Sequence, residues 1–225
     1  MNQLAAVLGI WFSLAGCALA WAGSEEAAAR NEAAVQLVRQ GKFAEAVAEF
    51  QKAVQEDAKY LPARLNLAHA YERLNRLEGA IQEYRGAITL EPKHFFAHNN
   101  LGVLYDKQGR YEDAIMEFEV ALKSEPGNAM ALKNLATAKK NNEIIQERRG
   151  QIQRAEKAAQ AKPKDPDLSY YLAKLHASFG DKALALQWLD RALKQGYKEV
   201  ASVKSDPAFS TLRDDRDLEL LLLGK

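Results

Sequence analysis

With 225 residues, 48% hydrophobic and 27% charged, the chain is long enough to bury a core and too apolar for a disordered segment. Its formal net charge of +1 argues against a general polyanion binder, which needs many clustered Lys and Arg to release counterions. A single cysteine, Cys17, excludes an intrachain disulfide.

The first segment stands apart. From Leu4 to Ala22 no side chain is charged, and at about 1.5 Å per residue such a run could cross a hydrocarbon core as a helix or serve as an export signal. Leu14-Ala15-Gly16-Cys17 resembles the lipobox of bacterial lipoproteins, and the resemblance implies that Cys17 is acylated and becomes the mature N-terminus. Met1-Asn2-Gln3 lacks the Lys or Arg that normally opens such signals, and the run stays apolar through Trp21. Ala18-Leu19-Ala20 and Ala20-Trp21-Ala22 also satisfy the small-x-small rule of ordinary signal cleavage. Residues 1–22 are therefore expected to be a lipoprotein signal, a cleaved secretory signal or an uncleaved anchor. The first two place the rest of the chain in the periplasm or on a membrane of the bacterial envelope.

Beyond it, a pattern recurs with a period of about 34 residues. Gly102, Tyr105, Gly109, Tyr111, Ala114, Phe118, Ala121 and Pro126 repeat the spacing of Ala68, Tyr71, Asn75, Leu77, Ala80, Tyr84, Ala87 and Pro92. Apolar residues at helical spacing on either side of a turn make each unit a helical hairpin. Gly102 and Ala114 fall where the two helices cross, since small residues there let the backbones approach. Tyr105 and Phe118 fill the wedge between hairpins, Gly41, Asn75, Gly109 and Gly180 take left-handed turns, and Pro92 and Pro126 stop the second helices.

These residues resemble the tetratricopeptide repeat from about Glu25 to Ala161. The resemblance implies an all-α, right-handed superhelical solenoid of antiparallel hairpins. A first unit with Ala34, Leu37, Gly41, Phe43, Ala46, Phe50 and Ala53 holds the register but has Ala58 where the terminal Pro belongs. The fourth unit keeps Leu132, Leu135 and Ala136, after which either Asn141-Asn142 turns the chain or Leu135, Ile145, Ile152 and Ala159 stripe one long helix. The array is expected over 24–161. Lys162-Pro163-Lys164-Asp165-Pro166 breaks the helix, with Asp165 placed to cap the next. A divergent hairpin follows over 166–196, with Leu172, Ala173, Gly180, Ala185, Leu189 and Ala192 in register and His176 at the aromatic position. A helical cap over 197–225 is expected to seal the end.

Chemistry is sparse. His94 and His98 stand four apart at the start of a helix, a spacing that could bring two imidazoles to one metal, but no third ligand is apparent. No phosphate-binding loop, cysteine pair or nucleophile motif is present, so neither an enzyme nor a cofactor is expected, and the alternative of a metal-dependent protein rests on His94 and His98 alone.

Function is sought in a binding face. The family resemblance implies that the first helix of each hairpin lines a concave groove. Carried over, the groove positions are Asn66, His69 and Arg73 in the second unit; Phe96, Asn99, Asn100, Val103 and Lys107 in the third; and Met130, Lys133, Asn134 and Thr137 in the fourth. Asn66, Asn100 and Asn134 share one register, and their amides could pair with an extended peptide or help the hairpins locally. Phe96 offers an apolar contact, while Phe95 either shares it or packs between units. Some members of the family clamp a C-terminal carboxylate, but Asn31 and Val35, Leu65 and His69, or Asn99 and Val103 stand where the Lys and Asn of that clamp would begin. Residues 133–162 carry eight basic and three acidic side chains, a pattern read as a solvated helix face; no nucleic-acid partner is expected. The expected partner is a protein or peptide, with self-association through the 142–161 helix and membrane attachment through the N-terminus as further readings.

Overall fold

The computed structural model describes residues 24–223; the lipobox, Cys17 and the rest of 1–22 lie outside the described residues. Among those residues the secondary structure is helical, with no strand: α1 over residues 24–39, α2 Phe43–Glu56, α3 Leu61–Arg73, α4 Leu77–Leu90, α5 Phe95–Lys107, α6 Tyr111–Ser124, α7 Ala129–Ala161, α8 Pro166–Ser178, α9 Lys182–Lys194, α10 Val200–Val203, a 3₁₀ turn Pro207–Leu212 and α11 Arg216–Leu222. None of these helices is long and apolar enough to cross a membrane.

The chain forms two compact units, one reaching Lys140 and the other starting at Asn141. In the first, three consecutive hairpins (α1–α2, α3–α4, α5–α6) turn through Gly41, Asn75 and Gly109, with φ of 76°, 55° and 73°. That left-handed conformation lets Lys42, Arg76 and Arg110 donate backbone bonds back to Leu37, Tyr71 and Tyr105, closing each first helix. The core runs through the middle hairpins as Ala68, Ala80, Tyr84, Leu101, Leu104, Tyr105, Ala114 and Phe118, all buried. Gly102 sits beneath the Phe118 ring, where a Cβ would lie 2.7 Å from Cε1. The small residue at this crossing is thus a requirement of packing and not of turn geometry.

The second unit builds a separate core. Tyr170, Ala173, Ala177, Ala185, Leu189, Ala192, Val203, Phe209, Leu212 and Leu218 join α8 and α9 to the C-terminal turns, and Ala155 and Ala159 of α7 pack on Leu172 and Leu175. Asp165 caps α8 by accepting from the Asp167 and Leu168 N–H groups at 3.1 and 3.3 Å. Asp206 caps the 3₁₀ turn through Ala208 N and also accepts from the Tyr170 hydroxyl at 3.0 Å and pairs with Lys174 at 2.9 Å. Burial pushes the Asp206 carboxyl up, but Lys174, Ala208 N–H and Tyr170 together hold it below the ordinary aspartate value. The two alternatives for 129–161 resolve as one helix: no residue between Ala129 and Ala161 leaves the helical state. Asn141-Asn142 is not a turn, because neither residue meets a left-handed backbone there.

Candidate functional site

The first helices of the first unit are stitched side by side. Asn66 Nδ2 on α3 donates to Asn31 Oδ1 on α1 at 2.9 Å, and Asn134 Nδ2 on α7 donates to Asn99 Oδ1 on α5 at 3.2 Å. Lys107 of α5 reaches Glu72 of α3 at 4.0 Å. Each contact spans 35 residues, so the wall formed by α1, α3, α5 and the start of α7 has one helix per repeat. Along a helix, residues three, four and seven apart share a face. Asn66, His69 and Arg73 therefore form one stripe, and Asn100, Val103 and Lys107 the next.

Behind this surface runs a polar chain. Asn99, only 1% exposed, donates to Asn100 Oδ1 at 3.2 Å; Asn100 donates to the Tyr84 hydroxyl at 3.1 Å; Tyr84 donates to Glu72 Oε1 at 2.7 Å. Burial first, then the Glu72 carboxylate, pushes the Tyr84 hydroxyl far above the ordinary tyrosine range, so it stays a donor. A buried amide left without partners would be costly, and here the network satisfies each. The reading of Asn99 as a groove contact is corrected accordingly: its amide is consumed within the wall, and its role is to hold Asn100 and Asn134. Those two and Asn66 are half-buried. With one bond of each fixed, Asn66 and Asn134 keep carbonyl oxygens able to accept, and Asn100, its oxygen held by Asn99 and one N–H by Tyr84, keeps a second N–H able to donate.

The remaining positions differ in character. Phe96 is 57% exposed, braced by an edge-on contact with Phe95 at 5.2 Å. Phe95 itself is buried against Ala121 and Ala131 and packs between successive repeats of the first unit. Met130 is 50% exposed at the position in the next repeat equivalent to Phe96. Val103 is half-buried against the core, whereas His69, Lys107, Lys133 and Thr137 are exposed, the Thr137 hydroxyl donating to the Lys133 carbonyl at 3.0 Å. Arg73 lies exposed over the Phe43 ring, 4.7 Å from its centre.

His94 and His98 are structural. The His94 Nδ1 accepts from Ala97 N–H at 3.2 Å and so caps α5. His98 is buried, with Nε2 3.1 Å from the Pro92 carbonyl and Nδ1 2.6 Å from Glu117 Oε2. Because a carbonyl can only accept, Nε2 carries a hydrogen, and Nδ1 faces a carboxylate. Both ring nitrogens of His98 are taken up by Pro92 and Glu117, and no cluster of three metal-ligating side chains occurs among the described residues.

Sequence reasoning missed two things. Tyr84, noted only as a repeat position, and Glu72 support the groove amides from behind; nothing in a one-dimensional pattern pairs residues 12 apart on different helices. The second unit also carries open depressions on either side of α7, one of about 510 Å³ lined by Glu156, Leu184, Trp188, Asp190, Arg191 and Lys194. The Arg191 guanidinium lies 5.0 Å from the Trp188 ring centre there. The four-residue spacing of Leu184 and Trp188 on α9 was the available signal.

Sequence profiles of the tetratricopeptide repeat match residues 37–101, 95–128 and 147–198. Over these segments the chain is built of tetratricopeptide repeats, and none of the matching profiles describes an enzyme. No curated protein matches the chain. Among solved structures it is similar to the first tetratricopeptide domain of Spaghetti (RPAP3) bound to the HSP90 peptide SRMEEVD, with 26% identity, a TM-score of 0.51, and coverage of 52% of this chain and 93% of that one. The second such domain of human RPAP3, in complex with the HSP70 peptide SGPTIEEVD, gives 24% identity, a TM-score of 0.50 and coverage of 52% and 98%. MamA from Desulfovibrio magneticus RS-1 covers more of this chain, 76% against 94% of its own, at 18% identity and a TM-score of 0.51. The last two likenesses speak to the fold.

Proposed function

We propose that the chain is a non-catalytic interaction scaffold that holds an extended polypeptide segment against the first-helix wall of its first unit and assists complex assembly in the bacterial cell envelope. The observation that carries this reading is the set of groove amides on Asn66, Asn100 and Asn134, at one register of successive repeats, each pinned by a hydrogen bond and left with unused capacity. Pre-organised amides suit capture of a peptide backbone, because the ordering cost is already met by the fold. Phe96 and Met130 add exposed apolar surface at one end of the same helices. The similarity to the RPAP3 domain that carries an HSP90 peptide supports a peptide-sized occupant. Recognition of a terminal carboxylate through a Lys and Asn pair is not available here, since Asn31 and Val35, Leu65 and His69, and Asn99 and Val103 occupy those places.

Crosslinking of the native protein in its own cells, followed by mass spectrometry, tests the scaffold. Asn100→Ala with Phe96→Ala should leave helicity intact and reduce the partner's yield by at least tenfold; undiminished yield moves the binding surface elsewhere. The envelope setting rests on residues 1–22. Cys17→Ser should shift the protein from the membrane to the soluble fraction, and unchanged fractionation would remove the lipid anchor from the reading.

A further inference from the structure

The three hairpin turns of the first unit share a feature that continues the groove stripes at Arg73 and Lys107. Each reads as a cation, one residue, a left-handed Gly or Asn, and a second cation: Arg39 and Lys42 around Gly41, Arg73 and Arg76 around Asn75, Lys107 and Arg110 around Gly109. All six side chains are exposed. Among the described residues, Lys107 pairs with Glu72 and Arg110 with Asp113, while Arg39, Lys42, Arg73 and Arg76 form no ion pair.

Helix stability explains only half of this row. Arg39, Arg73 and Lys107 end first helices, where a cation complements the helix dipole. Lys42, Arg76 and Arg110 occupy the N-caps of α2, α4 and α6, where the dipole is repelled by positive charge and Asn, Asp or Ser would bond the free N–H groups. None of the three makes a side-chain capping bond. Asp113 answers Arg110 within its own helix, but no such pair answers Lys42 or Arg76. The acids closest in sequence are Glu72 and Asp106 on the first helices, both half-buried, and Glu45, Glu78, Glu112 and Asp113 in the first turns of the second helices.

We infer that this row of turns is a docking edge for an extended acidic polypeptide segment with carboxylates at every third residue. The spacing follows from geometry. Packed helices stand about 8–10 Å apart, and a chain in the extended polyproline II form advances about 3.1 Å per residue with three residues per turn, so three residues carry it from one first helix to the next and return the side chain to the same side. On α3 and α5 the cation, Arg73 or Lys107, lies seven residues beyond the groove Asn66 or Asn100, about 10 Å along the axis, and Arg39 ends α1 at the same place in its hairpin. A peptide lying across the amides therefore directs carboxylates on one side toward Arg39, Arg73 and Lys107, with the N-cap cations just beyond. The inference rests on the groove reading and names the chemistry of its occupant: the backbone is held by amides, and selectivity comes from an acidic period of three.

Selection of random 12-residue peptides displayed on phage against the purified full chain tests it. Enriched sequences should show Asp or Glu at i, i+3 and i+6, with about two- to fivefold enrichment per acidic position, the range of an exposed ion pair. A Lys42→Ser, Arg76→Ser, Arg110→Ser variant, which changes only the N-cap cations outside the groove stripes and places a capping residue there, should keep its helicity and still select peptides, with the acidic enrichment reduced by about twofold or more. Undiminished acidic enrichment from this variant would overturn the inference. Peptides that depend on Asn100 and Phe96 yet carry no acidic period would also overturn it and leave the groove reading standing. If no peptide is enriched at all, both readings fall. Sedimentation of the wild-type chain with phosphatidylglycerol vesicles or duplex DNA, without acidic peptides in the selection, would assign the row to a different class of partner and refute the proposal.

Discussion

Gly102→Ala adds one methyl group to the α5–α6 crossing, and the structure gives that methyl nowhere to go. Its carbon would lie 2.7, 2.9 and 3.0 Å from Cε1, Cδ1 and Cζ of Phe118, a ring with 1% exposure and close neighbours on every side. Overpacking a filled core costs about 1–3 kcal/mol, and a rigid ring met at this distance belongs in the upper half of that range. Against it stands the gain of about 0.8–1.0 kcal/mol when Ala replaces Gly inside a helix. A net loss of about 1–2 kcal/mol in the first unit is expected, lowering its melting temperature by several degrees. Gly150→Ala supplies the control: the added carbon would meet only the far end of the Arg154 side chain, at 3.3 Å. Here the helix gain stands alone, and the second unit should be stabilised by about 0.5–1 kcal/mol. Urea and thermal denaturation followed by circular dichroism measure both. Phe118→Leu, which withdraws the ring atoms, should make Gly102→Ala less harmful than in the wild type, a coupling visible in a double-mutant cycle. Equal stability of Gly102→Ala and wild type, or strict additivity with Phe118→Leu, would refute the assignment of Gly102 to ring contact.

The groove network and the turns make further predictions. Asn99→Ala removes the partners of Asn100 and Asn134 and should cost the first unit about 1–3 kcal/mol in denaturant titration, with Asn66→Ala, at the more open end, costing less. Gly109→Ala has free space around its added carbon but φ of 73°, so a loss of about 1–2 kcal/mol from backbone strain alone should appear in the same assay. Asp206 is held below the ordinary aspartate value in the folded state, so its contribution is complete above the unfolded value near 3.9 and is lost as the pH falls from there through the lower folded value. Melting of the second unit should accordingly drop in that acid window, and Asp206→Asn should be less stable at neutral pH and show a shallower acid slope.

Much of the fold was legible because a repeat states its rules several times. Left-handed turns at Gly41, Asn75, Gly109 and Gly180 were visible as small or amide residues at fixed offsets, and the structure has all four at positive φ. The fate of 129–161 was not legible: a missing glycine says that a turn is disfavoured without saying that the helix continues, and an Asn-Asn pair suits either. For the groove, register identified the face but not the bonding. Asn99 and Asn100 are neighbours of one residue type, yet the carbonyl of one accepts from Asn134 while one N–H of the other donates to Tyr84. That difference is set by partners 35 and 16 residues away, which periodicity does not encode. His98 is a similar case, since its settling between Pro92 and Glu117 depends on where α6 comes to rest.

The contacts that join successive hairpins recur at nearly constant offsets. Gln51 donates to the Tyr71 hydroxyl and Arg85 to that of Tyr105, each across 20 residues, just as Asn66 and Asn134 reach across 35. Stability of this kind is borrowed from the adjoining module alone. A duplicated module inserted in frame would find matching sockets on both flanks, so growth by gene duplication is cheap, whereas deletion of half a module leaves mismatched sockets on either side. Fraying should then begin at a free end and advance module by module, leaving amide protons in α4 and α5 the last to exchange.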